Sequence, residues 1–263
     1  MKRVIASVFL AGLSLSFAQS TEPSPILKIV RENMKPGTGS AHEKIEAAYA
    51  HAFAPTKFAN YMGWEAITGS TQAWFVEGYG SYAAIEEASK IANSEPLKTT
   101  LAPLEVQDGE LRTGESTLFA HYAKDLSYYG TPLNLGRTHF VWLNIVHLRR
   151  GHVEDYAELR KIQNAAFVKV GAKWSRAVYV IGNGGSATDY LVMWPMESLS
   201  DMDRPAAWNN RDALGESFER YRKLNADIIV STEEIIFAVN PKMSNPSKAF
   251  IEADPDFWTP KAK

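Results

Sequence analysis

Residues 137–167 read RTHFVWLNIVHLRRGHVEDYAELRKIQNAAF. A run of β-branched and large apolar side chains leads into the basic turn RRG at 149–151, and an amphipathic pattern follows it. This order predicts a strand, a turn and a helix. Residues 26–53, ILKIVRENMKPGTGSAHEKIEAAYAHAF, have the same plan 114 positions earlier, with KPG at 35–37 as the turn. The chain therefore contains an internal repeat.

The elements after each helix recur in the same order. Two short β-rich runs predict a hairpin at 64–77 and another at 176–194, and each hairpin is followed by a helical pattern and a closing strand. Each half therefore reads β-α-β-β-α-β, which is the ferredoxin-like plan. We predict a signal peptide at 1–18, a first unit at 19–131, a second unit at 132–243 and a C-terminal tail at 244–263.

Burial predicts how the two units are arranged. A four-stranded sheet with helices on one face leaves its other face bare, so one unit alone would expose a large apolar surface. Two units cover each other if their bare faces meet. We therefore predict an α+β fold in which two tandem ferredoxin-like units form an intrachain dimeric α/β barrel, preceded by a signal peptide.

The first predicted helix has a recognisable start and an apolar stripe. Ser40 and Glu43 have the spacing of a capping box, so we place the beginning of the helix there. The residues predicted to form its buried face recur at three- and four-residue spacing: Ala41, Ile45, Ala48, Tyr49, Ala52 and Phe53.

The N-terminus has the pattern of an export signal. Lys2 and Arg3 precede an apolar run at 4–17, and small residues stand at Ser16 and Ala18. A single membrane anchor is the alternative, but the run is shorter than the ~18 to 20 residues that span a bilayer. We expect cleavage before Gln19, a periplasmic or secreted product, and no membrane span after removal of the signal.

Composition excludes several classes of function. The formal net charge of −2 becomes −4 without Lys2 and Arg3, which argues against nucleic acid or anionic lipid as a partner. The chain has no cysteine, so disulfides, thiol catalysis and thiolate metal sites are excluded.

The tail contains Phe250, Phe257 and Trp258, and we expect these side chains to pack against the body or a partner.

The order of the elements and two short motifs resemble those of a known group of proteins. The two fused βαββαβ units, the PG pair at 36–37 after the first strand and the hairpin sequence WFVEGY at 74–79 are similar to the dimeric α/β-barrel superfamily. That group includes antibiotic-biosynthesis monooxygenase-like and NIPSNAP-like domains. The resemblance covers about residues 26–243 and implies the fold. Its members include cofactor-free oxygenases of aromatic substrates, haem-binding and haem-degrading proteins, and units with no assigned reaction.

The histidines do not pair as metal ligands. His42 and His51 lie nine helical positions apart and point to opposite sides, and His139 and His147 are separated along one strand by roughly 26 Å. We therefore predict no metal site and no cofactor. His121 is the most notable of the remaining histidines because its strand is central in this fold.

The predicted strand at 140–148 has apolar residues on both faces, with Asn144 as the polar exception. A buried amide is costly without a hydrogen bond, so Asn144 either bonds to neighbouring backbone or faces a cavity. Aromatic walls would hold a flat apolar ligand, and the Asn144 amide would orient its carbonyl or phenol group. The candidate ligand-binding residues are Trp142, Asn144, Tyr190 and Trp194, with His121 as a rival centre.

Three functions remain open, and no catalytic residue is identified. The protein binds a small apolar or aromatic molecule between sheet and helices, or it is a cofactor-free monooxygenase of an aromatic substrate, or it is a structural or interaction module without catalysis. An enclosed cavity of roughly 300 Å³ or more beside either sheet would favour the first two. The sequence leaves open whether the chain forms a homo-oligomer.

Overall fold

A computed structural model describes residues 22–203 and 211–259. The predicted signal peptide at 1–18 lies outside these ranges. The strands are β1 (Ile26–Met34), β2 (Tyr61–Ala66), β3 (Gln72–Tyr79), β4 (Arg112–Tyr122), β5 (Tyr128–Tyr129), β6 (Phe140–Leu148), β7 (Ser175–Asn183), β8 (Asp189–Met196) and β9 (Ile229–Asn245). The α-helices are α1 (Gly39–Phe53), α2 (Tyr82–Ala92), α3 (Leu97–Gly109), α4 (Val153–Lys169), α5 (Arg211–Leu214), α6 (Phe218–Ile228), α7 (Lys248–Ala253) and α8 (Pro255–Trp258). Short 3₁₀ turns lie at Lys124–Leu126, Leu135–Arg137, Leu199–Asp203 and Gly215–Ser217.

Eight antiparallel strands close into a barrel. The first half contributes the order β4-β1-β3-β2 and the second half the matching order β9-β6-β8-β7. Two seams join the halves, because β2 pairs with β9 and β4 pairs with β7. The short strand β5 adds to the edge of β7. This is an α+β fold with a closed antiparallel barrel, as the sequence predicts.

The barrel interior is a packed core. Side chains at alternate strand positions point inward, among them Ile29 of β1 and Leu143 of β6, and both are fully buried. Burying each such side chain contributes about 1.5 to 3 kcal/mol to folding. The inner cavity that remains, between Trp64, Tyr179 and Phe250, measures about 60 Å³. This volume is well below the roughly 300 Å³ or more of most small-molecule sites.

Helices cover the outside of the barrel. In the second half, α4 and α6 pack on the outer face of β6 and β8 through a second apolar cluster that includes Leu159 and Phe167. Both faces of β6 are consequently covered, which explains its lack of a polar face. Within the described residues, no helix is long and apolar enough to cross a membrane.

The first helix differs from its prediction. It begins at Gly39, and Ser40 lies inside its first turn without forming a capping box. The Thr38 hydroxyl, at the position before the helix, donates instead to the Lys35 carbonyl at 2.7 Å. The fully buried residues of α1 are His42, Glu46 and Ala50. The prediction that the apolar stripe forms the buried face of this helix was therefore wrong. Ala41 is exposed, and the other residues of the stripe are half-buried.

The C-terminal tail packs against one end of the barrel. Phe250 and Trp258 of α7 and α8 join the inner core, and the Trp258 indole N–H donates to the Gly136 carbonyl at 2.7 Å. The His139 ring stacks on Phe257 with centroids 3.9 Å apart. The tail aromatics therefore close the barrel mouth.

Candidate functional site

An open cleft lies between the outer face of the first-half sheet and helices α1, α2 and α3. Its volume is about 510 Å³. We call it the first-half cleft. The aromatic side chains that line it come from α1, from β2 and β3, and from the segment that follows α1: Tyr49, Phe53, Phe58, Tyr61 and Phe75. They contact one another, with Phe53 stacked on Phe58 at 4.0 Å and Tyr61 edge-on to Phe75 at 6.1 Å.

The floor of the cleft contains a buried group of three carboxyl groups and an imidazole. These residues, which we call the acid cluster, are Glu32 of β1, His42 and Glu46 of α1, and Asp108 of α3. His42 and Glu46 share one helix face because they are four positions apart. One ligand atom from each of the four side chains lies within 4.8 Å of the others. The cluster therefore joins two consecutive elements, β1 and α1, with α3, which lies much later in the sequence.

Arg112 at the start of β4 orients two members of the cluster. Its guanidinium donates to Glu32 Oε1 at 2.7 Å and, through Nε, to Asp108 Oδ2 at 2.9 Å. The second oxygen of Glu32 lies 2.8 Å from His42 Nε2. The second oxygen of Asp108 lies 3.6 Å from the same nitrogen and has no hydrogen-bond partner. Arg112 also contacts Glu115 at the rim.

Crowding of the carboxyl groups changes their acidity. Burial, followed by the charges of Glu32 and Asp108, raises the pKa of Glu46 well above its ordinary value. Burial and the Glu32 charge raise the pKa of Asp108 to about 6, even though Arg112 opposes the change. Glu46 and Asp108 therefore hold protons more tightly than exposed carboxyl groups do. Such groups are suited to acid–base chemistry near neutral pH, or to holding a cation in place of protons.

A second polar group lies on the cleft wall. Glu77 of β3 accepts a hydrogen bond from Lys28 Nζ at 2.7 Å and another from the Tyr79 hydroxyl. Burial and the Glu77 charge raise the pKa of Tyr79. The acidic residues lining the cleft are Glu32, Glu46, Glu77, Glu105, Asp108 and Glu115, and the basic ones are Lys28, Lys98 and Arg112. The cleft therefore has an excess of negative charge.

The structure places three of the predicted ligand-binding residues together on the outer face of the second half. Trp142 and Trp194 stack at 5.6 Å, and the Trp194 indole N–H donates to Asn144 Oδ1 at 3.4 Å. Asn144 Nδ2 is buried and has no hydrogen-bond partner among the described residues, so the amide is not bonded to their backbone through this nitrogen. Tyr190 is buried against Tyr156, with ring centroids 4.4 Å apart.

Part of this group borders a second cleft of about 470 Å³. Trp142 and Trp194 line it, together with Trp174, whereas Asn144 and Tyr190 do not. We call it the second-half cleft. Its volume is comparable with that of the first-half cleft. The ligand-binding residues predicted from the sequence therefore lie beside a cleft large enough for a small molecule. It has no buried cluster of ionisable groups among its lining residues.

His121 lies apart from these residues. Its strand β4 is the end strand of the first half and pairs with β1 and, across a seam, with β7, so the expectation that this strand is central was wrong. The ring Nε2 lies 2.9 Å from the Tyr82 hydroxyl of α2. His121 lines neither of the two clefts described above.

Glu32, Glu46, Asp108 and Arg112 are not among the residues predicted from the sequence. The prediction of no metal site rests on the spacing of the histidines alone, without carboxylates as their partners. One signal was available, since His42 and Glu46 have the spacing of neighbours on one helix face. No comparable pattern points to Asp108, because its approach to His42 depends on how α3 packs against α1.

No family model matches the sequence, and no curated protein matches it either. Solved structures do match. An anthrone oxidase-like protein shares 11% identity at a TM-score of 0.55, covering 84% of this chain and 93% of its own. A candidate monooxygenase from Fusobacterium nucleatum shares 13% identity at a TM-score of 0.54, covering 82% and 93%. A candidate monooxygenase from Lactobacillus acidophilus shares 8% identity at a TM-score of 0.52, covering 82% and 94%. At these identities the likeness establishes the fold: the chain has the closed α+β barrel of these monooxygenase-like proteins.

Proposed function

We propose that the protein binds a small aromatic molecule in the first-half cleft and performs acid–base chemistry on it. The observation that carries the proposal is the combination, in one cleft, of five aromatic side chains on the walls and the acid cluster on the floor. The volume of about 510 Å³ falls within the size range of small-molecule sites. Aromatic walls favour a planar ligand because flat rings pack against them with large contact area.

The charge of the cleft indicates which end of the ligand faces the floor. Acidic side chains outnumber basic ones, so a cationic or hydrogen-bond-donating group is favoured there. Glu46 lines the cleft, and its raised pKa lets it exchange a proton with a bound phenol or amine. We therefore expect the donor group of the ligand next to Glu46 and its ring between Tyr49 and Tyr61.

The test uses 2-naphthol as a planar phenolic probe, with binding followed by fluorescence and by thermal shift. Tyr49→Leu removes a half-buried ring from the cleft wall, and we expect it to weaken binding at least tenfold. Trp142→Leu is the matched control because it removes a half-buried ring from the second-half cleft. If Trp142→Leu weakens binding and Tyr49→Leu does not, the site lies in the second half, where Trp142, Asn144, Tyr190 and Trp194 were predicted to form it.

Cofactor-free oxygenation of an aromatic substrate is the second candidate function. It is favoured by the fold shared with the candidate monooxygenases and by the presence of a buried acid–base group in the cleft. In such a reaction O₂ converts a ring CH₂ group to a carbonyl. One oxygen atom enters the product, the other leaves as water with the two hydrogens, and the substrate supplies the electrons. Glu46 would accept the first proton.

Oxygen uptake with anthrone tests this second candidate. We expect one O₂ consumed per substrate and one labelled oxygen in the product when ¹⁸O₂ is used. Because general acid–base catalysis contributes about 10² to 10⁴ in rate, Glu46→Gln should lower turnover at least a hundredfold. Glu105→Gln, an acid of the same cleft outside the cluster, is the control. Absence of both probe binding and oxygen uptake would favour a non-catalytic module.

We also propose that the two halves are duplicated ferredoxin-like units related to antibiotic-biosynthesis monooxygenase-like and NIPSNAP-like domains, and that the chain is exported. The same strand order in both halves supports the duplication. Mass spectrometry of periplasmic or secreted material should find Gln19 as the new N-terminus. An intact chain that begins at Met1 would contradict export by this signal.

A further inference from the structure

The acid cluster brings together more carboxyl groups than basic groups. Glu32, Glu46 and Asp108 contribute three carboxyl groups, each with a side chain at most 7% exposed. Arg112 is the permanent cation that contacts them, and Arg112 also contacts Glu115. Removing carboxylates from water costs several kcal/mol per ion unless opposite charge and hydrogen bonds compensate. A further cation would supply that compensation.

An unpartnered oxygen points into the middle of the cluster. Asp108 is only 2% exposed, and its Oδ1 has no hydrogen-bond partner within the described part of the chain. His42 Nε2 lies 3.6 Å from this oxygen. Buried acceptors without a partner are rare in folded proteins and usually indicate a water or ion that satisfies them.

The hydrogen bonds of Arg112 orient the Asp108 carboxylate so that its Oδ1 faces His42. Glu32 and Asp108 each give one oxygen to the guanidinium and turn the other towards His42 Nε2. An outer residue that fixes the orientation of carboxylates is the usual second layer of a metal site. The possible ligand atoms that face the centre are therefore Glu32 Oε2, Asp108 Oδ1 and His42 Nε2. Glu46 Oε1 lies 3.9 Å from His42 Nε2.

We propose that the acid cluster binds a divalent transition-metal cation, held by Glu32, His42, Glu46 and Asp108. Their ligand atoms lie within 4.8 Å of one another. Metal–ligand distances near 2.1 Å place opposite ligands roughly 4.2 Å apart, so small side-chain shifts bring all four into contact with one ion. Three carboxylate oxygens and one imidazole nitrogen suit Mn²⁺, Fe²⁺ or Zn²⁺ better than Cu⁺.

The position of the ion relates this site to the cleft. Glu46, Glu32 and Asp108 line the first-half cleft, whereas His42 lies behind them, so an ion between the four has one side towards the cleft. A ligand in the cleft would then reach an open coordination position. The metal site goes beyond the proposed aromatic binding and does not require it. A resident metal would replace the cofactor-free form of oxygenation.

The experiment is titration of the EDTA-treated and dialysed full chain with MnCl₂ and with ZnCl₂, without any aromatic probe. Calorimetry is expected to give one ion per chain with a Kd of 10 µM or tighter, on the order of 7 kcal/mol. The Mn²⁺ complex should lose the six-line EPR signal of the free ion. Asp108→Asn and Glu46→Gln should each weaken binding at least tenfold, whereas Glu105→Gln in the same cleft should change it less than twofold.

The outcomes separate this inference from the proposed function. Metal binding that Asp108→Asn and Glu46→Gln leave unchanged, or a stoichiometry well below one, would overturn the metal site. Glu46→Gln keeps the test valid if Asp108→Asn does not fold, because Glu46 faces the cleft and the amide has the same shape. Failure of 2-naphthol to bind does not affect the metal titration, and failure of the metal to bind leaves the aromatic probe result intact.

Discussion

The two halves of the barrel place opposite charges at the same position of the fold. His42 and Glu46 of α1 correspond to Tyr156 and Arg160 of α4 at the offset of 114 that relates β1 to β6. Glu32 of β1 corresponds at this offset to Val146 of β6. The first half therefore buries carboxyl groups beneath its helix, and the second half buries guanidinium groups beneath the equivalent helix.

The second guanidinium comes from β7. Val76 of β3 and Met193 of β8 hold equivalent positions in the two halves. Met62 pairs with Val76 and Ala177 pairs with Met193, so the residues before them, Tyr61 and Arg176, are also equivalent. Tyr61 lines the first-half cleft. Arg176 is fully buried, and its guanidinium lies over the rings of Phe167 and Trp194 at 5.2 and 5.4 Å. A long side chain stacked on aromatic rings thus fills space that is open in the first half.

The partners of the two arginines are neutral. Arg160 and Arg176 both donate to Gln163 Oε1, and Arg176 also donates to Asn164 Oδ1 and to the Leu126 carbonyl. In the described part of the chain neither arginine has a carboxylate partner, and both Nε atoms lack an acceptor. Burial, followed by the Arg160 charge, lowers the pKa of Arg176 well below its ordinary value. The same fold thus buries acidic groups in one half and basic groups in the other.

Removing Arg112 should produce the largest change of stability. Arg112→Met leaves Glu32 and Asp108 buried without their cation, and loss of one partner of a buried ion pair costs about 3 to 5 kcal/mol. The measurement is urea unfolding at pH 7 in EDTA. Arg220→Met is the control, because it breaks an exposed pair with Glu158, whose loss should have a far smaller effect. Equal losses in the two variants would mean that the cluster is not a buried charge network.

A carboxylate should stabilise the second half. Gln163→Glu keeps the shape of the side chain and gives both guanidiniums an anionic acceptor in place of a neutral one. Since hydrogen bonds to charged groups contribute about 1.5 to 3 kcal/mol, a gain of roughly 1 to 3 kcal/mol is expected at pH 7. Thermal and urea unfolding measure it, with Gln107→Glu on the exposed face of α3 as the control. A destabilised Gln163→Glu protein would show that the arginines are already compensated.

The first half should lose stability as pH rises, whereas in the second half no described carboxyl group lies beside Arg160 and Arg176 to cause this. Asp108 has its pKa raised to about 6 in the folded state, so the folded protein holds this proton more tightly than the unfolded chain. Its stabilising contribution is complete below the unfolded pKa near 4 and is lost as pH rises through 6. We expect a loss of roughly 1 kcal/mol between pH 4.5 and 7.5, which allows for screening by solvent in the open cleft.

Urea unfolding in EDTA at several pH values checks this direction. Asp108→Asn cannot lose the proton, so its unfolding free energy should fall less over the same range than that of the wild type. Glu105→Gln should follow the wild-type profile because Glu105 lies outside the cluster. Parallel profiles for the wild type and Asp108→Asn would show that Asp108 does not titrate in this range.

Local patterns predict the elements well and the buried polar groups poorly. The strand predicted at 140–148 is observed as Phe140–Leu148, because alternation and turn residues are local properties. The closed barrel followed from the need to cover apolar faces. The acid cluster could not be found in this way, since periodicity assigns burial to apolar residues, and α1 buries His42 and Glu46. Their partners come from β1 and α3, whose approach depends on tertiary packing.

The smallest expected effect concerns Asn144, which stands where the first half has Val30. Val30 lines the first-half cleft, whereas Asn144 holds a 3.4 Å contact with the Trp194 indole and leaves its Nδ2 buried without a partner. Asn144→Val therefore introduces the residue found at this position in the first half. It removes one weak hydrogen bond and also removes a buried donor that has no acceptor among the described residues. We expect a change in unfolding free energy of about 1 kcal/mol or less.

Asn144→Ala separates packing from hydrogen bonding at this position. The smaller side chain leaves a void beside Trp142 and Trp194, so it should cost about 1 kcal/mol more than Asn144→Val. Both variants are compared with the wild type by thermal melts, with and without 2-naphthol. If the site predicted from the sequence binds the probe, both substitutions should reduce the shift caused by 2-naphthol, because both remove the amide that would orient it. An unchanged shift in both variants, together with a reduced shift in Tyr49→Leu, places the ligand in the first half and leaves Asn144 as a packing residue of the second.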